Sequence, residues 1–322
     1  MDVMFYEVFK EEEAALKKIL PKNVQAGFTF KTIQEYNVFR CPAALISVRT
    51  QSRIPTAWKK TLRGILTRST GFDHIHTYFR QIRSNIPSGY LPDYCARAVA
   101  EHAVLVAWML LKKLKQQEEQ FETFKRDGIT GFECQGKNLL VVGVGNIGRQ
   151  VVQIARALKM NVQGADLKKG MGGLKYVSLA QGLRWADIVI CALPLTASTR
   201  QMLNYKNLQR ARRGFILVNI SRGEISPIAD LKRLLNEGIL GGLSLDVYEE
   251  ENGLAEYLRG HSRRLFPSAK AVLELRENNA VIFTPHNAFN THETLERKAR
   301  NSVEAVVTFL RERKFPHPVP AG

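Results

Sequence analysis

Between Leu139 and Asp166 the chain carries, in order, a strand, a glycine turn, a helix and a second strand, and few folds accept that order with these residues. Leu139-Leu140-Val141-Val142 is apolar without alternation, the pattern of a strand covered on both faces. Gly143-Val144-Gly145-Asn146-Ile147-Gly148 follows with the spacing G-x-G-x-x-G. With 23 glycines in the chain the spacing alone is weak, and its context decides. Arg149 to Leu158 has helical character, and Val162 to Asp166 is a strand that ends on an acid. Gly143 permits the tight turn, Gly145 lets backbone approach a pyrophosphate, and Gly148 lets the helix pack on the strand. The amides of Asn146 and Ile147 then lie at a helix N-terminus, where the dipole favours an anion. Asp166 would accept from ribose hydroxyls and repel a 2′-phosphate, which favours NAD (NADH) over NADP. Lys168 and Lys169 soften that preference.

The rest of the chain extends the alternation. Strands are expected at Ile188 to Leu193, Phe215 to Ile220, Leu243 to Val247 and Val281 to Phe283, with helices between most of them. That is the pattern of a parallel, doubly wound sheet. The first third reads as a smaller open α/β unit: an apolar start at Val3 to Phe9, a charged amphipathic helix at Glu11 to Leu20, and strands at Ala44 to Val48 and Gly64 to Thr67. Tyr78 to Asp93 is rich in turn formers, and Ala96 to Leu114 is a long apolar helix suited to passing between domains. A final helix, Glu293 to Glu312, carries Val303, Val306, Val307 and Leu310 on one stripe and is expected to fold back onto the first domain. The resulting division is 1–97 plus 292–322 for one domain and 98–291 for the other.

At 322 residues, two domains agree with the usual domain size. Hydrophobic residues make up 45% and charged residues 24%, enough apolar material for real cores. The net charge of +17 raises nucleic acid and anionic surfaces as partners. Its distribution argues against both: cations come in pairs such as Lys17-Lys18, Lys59-Lys60 and Arg263-Arg264, interleaved with acids and apolar residues. Nucleic acid is therefore not expected as a partner. Cys41, Cys95, Cys134 and Cys191 are far apart and lack metal-ligand spacing, so neither a disulfide framework nor a metal site is expected. No signal peptide and no apolar run of membrane-spanning length is evident, and a cytoplasmic setting without a membrane partner follows as an expectation.

Three polar residues follow strand ends. Arg222 comes after Phe215 to Ile220, Glu251 lies five residues beyond Asp246, and His286 follows Val281 to Pro285. Singly, each has a plainer explanation as a surface charge, a solvated acid in Glu249-Glu250-Glu251, or a loop histidine. Together, at the strand ends that face the ligand crevice of such a sheet, they suggest chemistry.

The chain resembles the D-isomer-specific 2-hydroxyacid dehydrogenase family, within it the D-lactate dehydrogenase-like branch. The resemblance rests on the ordered set Thr67 to Ile75, Ala98 to Ala103, the glycine motif, Ala186 to Val189 leading to Pro194-Leu195-Thr196, Asn219 to Gly223, Leu245 to Tyr248, and Thr284 to Ala288. It implies a Rossmann-type doubly wound sheet inserted into a smaller, discontinuous flavodoxin-like substrate domain, and interconversion of a 2-keto acid and a D-2-hydroxy acid. It further implies that Arg222 binds the carboxylate and keto oxygen, His286 is the acid/base, and Glu251 orients His286. By position it assigns Leu193, Pro194, Thr199, Ile220, Ser221 and Asp246 to the cofactor, beside Gly143, Gly145, Asn146, Ile147, Gly148 and Asp166. To the substrate it assigns the amides of Thr70 and Gly71, and the aromatic residues Tyr94 and Phe289. A homodimer is commonly built through the cofactor domain in this family.

Three departures from that pattern bear on substrate identity. Thr50-Gln51 stand where the branch usually has a hydrophobic residue and a Tyr, which makes the wall around Gln51 more polar. The stretch from Ile75 to Pro87 is short, and Asn252-Gly253 replaces a proline after Glu251. The alternative implied by the same resemblance is an NAD(H)-sensing interaction protein like the C-terminal binding protein corepressors, which retain the trio. Partner capture indifferent to His286→Ala would distinguish it.

Overall fold

The computed structural model describes residues 1–320, so that Ala321 and Gly322, the end of the expected 292–322 segment, lie outside the described residues. The chain divides into two compact units, one of Met1–Cys95 with the chain from Asn290 on, the other of Ala96–Phe289. Both cuts fall two residues ahead of the expected 97/98 and 291/292.

The first unit begins with β1 (Val3–Phe5), α1 (Lys10–Ile19), β2 (Ala26–Phe28), α2 (Ile33–Tyr36), β3 (Leu45–Val48), β4 (Gly64–Thr67), α3 (Asp73–Ile82) and β5 (Ser88–Tyr90). Its sheet is parallel throughout, in the order β2-β1-β3-β4-β5. Residues 78–93, read from sequence as turns, contain the end of α3 and all of β5. Helix α3 forms because Ile75, Tyr78 and Ile82 recur at helical spacing and bury against the sheet. Strand β5 tolerates Pro87 and Gly89 because it is an edge strand. Strand β2 is another edge, three residues long and only half-buried, which leaves little apolar signal.

The second unit starts with α4 (Ala96–Leu111), which stops three residues before the expected Leu114. Lys113 takes a left-handed φ of 53°, and α5 (Leu114–Phe121) follows as a separate helix. Then come β6 (Asn138–Val142), α6 (Asn146–Ala157), β7 (Asn161–Ala165), β8 (Lys175–Tyr176), α7 (Leu179–Trp185), β9 (Ile188–Cys191), α8 (Tyr205–Leu208), β10 (Phe215–Asn219), α9 (Ile228–Asn236), β11 (Leu240–Leu245), α10 (Glu251–Leu258), α11 (Pro267–Leu275) and β12 (Val281–Phe283). The seven strands are parallel in the order β12-β11-β10-β9-β6-β7-β8. The chain thus winds outward in both directions from β6, and the strand order reverses between β6 and β9. Ligands of such sheets bind beyond the strand ends at that reversal. The α/β, Rossmann-like class is the one expected. Residues such as Leu140, Val189, Leu217 and Leu243 are fully buried, as strands covered on both faces require. The closing helix α12 (His292–Glu312) belongs to the first unit and packs on α1 and β4.

Candidate active site

The glycine turn is built as its spacing requires. Gly143 sits at φ 93°, and a Cβ there would lie 2.7 Å from the carbonyl oxygen of Ala192. A Cβ on Gly148 would lie 2.0 Å from the oxygen of Gly143, so the helix rests directly on the turn. A Cβ on Gly145 would meet nothing within 4 Å. Backbone is bare there, at the start of a 12-residue helix that begins at Asn146, three residues earlier than the expected Arg149. The first N–H groups of a helix have no acceptor within it, so Asn146 and Ile147 present donors to an anion. Asp166 follows β7 and braces the same turn: its Oδ2 accepts from Val144 N–H at 2.6 Å and its Oδ1 from Lys168 N–H at 2.8 Å. Each oxygen keeps a lone pair for a ribose hydroxyl. An open backbone cradle, helix donors and a half-exposed carboxylate fit a dinucleotide.

The proposed chemical trio follows the ends of three adjacent strands. Asn219, Leu245 and Phe283, the last residues of β10, β11 and β12, are cross-strand neighbours. Arg222, Glu251 and His286 follow them within six residues. Arg222 is shaped by Asn219, which is fully buried: Asn219 Nδ2 donates to Arg222 O at 2.9 Å and to Ser226 Oγ at 2.7 Å, and its Oδ1 accepts from Ser221 N–H. Arg222 Nη1 donates to Ser221 O at 2.7 Å. Gly223 brings this turn against the neighbouring strand end, since a Cβ there would lie 2.0 Å from the carbonyl carbon of Tyr248. Only glycine allows that approach.

Glu251 opens α10, after Glu250 at φ 50°, rather than lying in the solvated acidic run that its neighbours suggest. Its Oε1 is 2.8 Å from His286 Nδ1. That bond leaves Nε2 of the imidazole as the nitrogen available for proton transfer. His286 has a left-handed φ of 51°, uncommon for any residue but glycine. The loop is held by Asp246, which is 2% exposed: Oδ1 accepts from Thr284 Oγ1 at 2.6 Å and Asn287 N–H at 2.8 Å, and Oδ2 from Ala288 N–H at 3.0 Å. His102 Nε2 lies 3.3 Å from Thr284 Oγ1. Burial lowers the pKa of His102, against the pull of the Asp246 carboxylate. Asp246, expected at the carboxamide of the cofactor, thus uses both oxygens to clamp the backbone on which His286 sits.

The remaining assignments fall out unevenly. Thr199 is buried and its hydroxyl donates to Pro194 O at 2.6 Å, closing its own loop, while Leu193 is half-buried and Pro194 exposed. Ile220 and Ser221 are buried, with Ser221 Oγ donating to Cys191 O. Phe289 is buried.

In the first unit, Thr70 and Gly71 follow β4, and the carbonyl of Gly71 accepts from Ser69 Oγ at 2.7 Å. Tyr94 is buried and its hydroxyl donates to Arg68 O. The Gln51 loop is anchored by Glu7, which the sequence did not single out. Its carboxylate accepts from the amides of Arg49, Gln51 and Ser52 at 3.0, 3.0 and 3.1 Å. The available signal was a lone acid inside the otherwise apolar run Val3 to Phe9. Arg68, the residue before Ser69, belongs to a fully buried charge cluster: Glu12 Oε1 is 2.9 Å from Arg68 Nε and 2.8 Å from Lys298 Nζ. Arg68 also donates to Ser47 Oγ and Tyr6 O.

Residues 104–288 match the D-isomer specific 2-hydroxyacid dehydrogenase, NAD binding domain. The chain is 31% identical over 265 residues to 2-hydroxyacid dehydrogenase A of Aspergillus oryzae, covering 81% of this chain and 75% of that protein. It is 30% identical over 282 residues to a D-specific alpha-keto acid dehydrogenase of Enterococcus faecalis, covering 84% of each. Its structure superposes on that of D-lactate dehydrogenase from Aquifex aeolicus, complexed with NAD and lactic acid, with a TM-score of 0.85 at 28% identity, covering 99% of this chain and all of that one. Fold and glycine site together define a dinucleotide-dependent oxidoreductase of the doubly wound class. The chain belongs to the D-isomer-specific 2-hydroxyacid dehydrogenase family and is an NAD-dependent enzyme of it.

Replacing Asp166 with Ala is expected to weaken NADH binding about tenfold or more, the worth of a charge-assisted hydrogen bond. NADPH binding should weaken less or improve. Fluorescence titration of both nucleotides checks this, and an unchanged preference would remove Asp166 from nucleotide selection.

Proposed function

We propose that this enzyme reduces a small 2-keto acid to the D-2-hydroxy acid and runs the reverse reaction through the same groups. The observation that carries the proposal is the 2.8 Å Glu251–His286 pair at the ends of β11 and β12, one strand away from Arg222. Bound NAD supplies the chemistry at carbon 2, accepting or giving the hydride. Arg222 pairs its planar guanidinium with the substrate carboxylate and polarises the keto oxygen. His286 gives a proton from Nε2 to that oxygen as charge develops on it, and takes the proton back in oxidation. Glu251 accepts from Nδ1, which fixes the ring orientation and leaves Nε2 facing the proton transfer. The amides of Thr70 and Gly71 add donors for the carboxylate, and Tyr94, Phe289 and Gln51 are assigned to the substrate side chain.

With Gln51 in place of an aromatic residue, small or polar side chains should be preferred. A series of 2-keto acids of growing size, each with NADH and NADPH, tests this: turnover should be highest with NADH and the smaller or more polar acids. No turnover of any member by nucleotide-bound protein would contradict the proposal.

The same reading includes a homodimer and a cytoplasmic setting, in which the four free thiols stay reduced. Leu105 and Trp108 on α4, with Phe121, Phe124 and Phe132 beyond it, are large apolar residues left exposed on the second unit. Light scattering should give twice the chain mass, and Trp108→Glu should lower it toward one. A wild-type monomer at micromolar concentration would contradict this part.

A further inference from the structure

On the second unit, a cavity of about 220 Å³ opens between α7 and α8, lined by Leu179, Leu183, Arg184, Lys206, Asn207 and Arg210. Three of these are cations and none is an acid. Arg184 and Arg210 precede β9 and β10 by only a few residues. They therefore lie toward the edge where the parallel strands begin, opposite the edge that carries the glycine turn and Arg222.

Neighbouring cations are treated differently by the fold. Arg212 pairs with Asp187 at 2.8 Å, Arg233 with Glu237 at 2.8 Å, and Lys232 with Glu274. Arg213 donates to Glu237 O at 2.8 Å. Among the described residues, no carboxylate pairs with Arg184, Lys206 or Arg210, and Arg184 Nε donates only to Ala180 O, within its own helix. Arg212 and Arg233 thus have carboxylate partners, while the cavity wall itself carries three cations and no carboxylate. Like charges that share one concave wall repel, and a bound anion relieves that repulsion. Two guanidinium groups and an ammonium suit phosphate oxygens in particular. Leu183, which is buried, and the half-buried Leu179 give the floor an apolar surface.

We propose that this cavity is a second anion site, distinct from the cofactor and substrate positions, that takes a small organic phosphate with its phosphoryl group on Arg184, Lys206 and Arg210 and its apolar part over Leu179 and Leu183. The site is independent of the catalytic reading and part of the positive charge excess serves it.

The test is calorimetric titration of the full chain with phenyl phosphate, inorganic phosphate and pyrophosphate, NADH being saturating so that the glycine turn is filled. Binding is expected with a Kd below about 1 mM, weakened about tenfold or more in the variant combining Arg184→Gln, Lys206→Gln and Arg210→Gln. A control variant with Lys18→Gln, Lys60→Gln and Arg263→Gln, which removes the same charge elsewhere, should bind as the wild type does. All six side chains are exposed, so both variants should fold, and both should keep the wild-type NADH affinity. Phenyl phosphate binding more tightly than inorganic phosphate would support the apolar floor. No binding, equal binding in the cavity variant, or equal weakening in both variants would overturn the proposal; the last would assign the effect to net charge alone.

Discussion

His286→Ala should lower kcat for keto-acid reduction by about 10²–10⁴-fold while leaving NADH affinity near the wild-type value. Nε2 of this ring is the only nitrogen that its bond to Glu251 leaves available, and the loop that presents it is held by three hydrogen bonds to Asp246. Glu251→Gln should give a smaller loss, since an amide oxygen can still accept from Nδ1 and orient the ring, through a weaker hydrogen bond than the carboxylate makes. Steady-state rates with NADH titrations on both variants check the pair. A His286→Ala enzyme that kept most of its rate would remove the proton-transfer role, and a parallel loss of NADH binding would show a collapsed site.

The second large effect concerns stability. Glu12, Arg68 and Lys298 are each fully buried, and one carboxylate faces two cations. Burial raises the carboxyl pKa of Glu12, but Arg68 and Lys298 outweigh it and hold it down to about 2. Arg68 already balances Glu12, which leaves Lys298 as the surplus charge. Burial, opposed by Glu12 and aided by Arg49 and Arg68, brings its ammonium down to about 7. Glu12→Gln takes from Arg68 and Lys298 the one carboxylate they share, leaving the buried guanidinium of Arg68 unpaired, and should cost about 3–5 kcal/mol, read as a fall in the denaturant midpoint.

The pH dependence has a definite sign. Between about 7 and the ordinary value of 10.5, the unfolded chain holds a proton on Lys298 that the folded chain has released. The Lys298 contribution to stability therefore rises with pH across that window. Lys298→Met, which cannot titrate, should remove this rise. Denaturation midpoints at several pH values for wild type and variant check it; identical slopes would show that Lys298 stays charged in the fold.

The cofactor half of the molecule was legible because its signals are local. A buried strand, three glycines at fixed spacing and an acid one strand later all fall within 28 residues, and each has one structural job. The trio reads only as a set, since the segments that carry Arg222, Glu251 and His286 follow the neighbouring ends of β10, β11 and β12 and are far apart in sequence. What stayed hidden depends on distant partners. Glu12 lies in a segment that reads as a solvated helix, and its burial follows from Arg68 and Lys298, 56 and 286 positions further along. Glu7 is a lone acid in the apolar start Val3 to Phe9, and its role shows only when the amides of the 49–52 loop are placed around it. Asp246 was assigned to the cofactor, although its bonds to the loop carrying His286 emerge only when β11 and β12 are side by side. The short strands β2 and β5 carry too few apolar residues to register as a period.

The most direct measurement is chiral analysis of the hydroxy acid formed from pyruvate or a longer 2-keto acid with NADH, alongside the rate of NADH oxidation. One D-hydroxy acid per NADH consumed is expected, with both signals lost together in His286→Ala. An L product, a racemate, or no product from nucleotide-bound enzyme across the keto-acid series would contradict it.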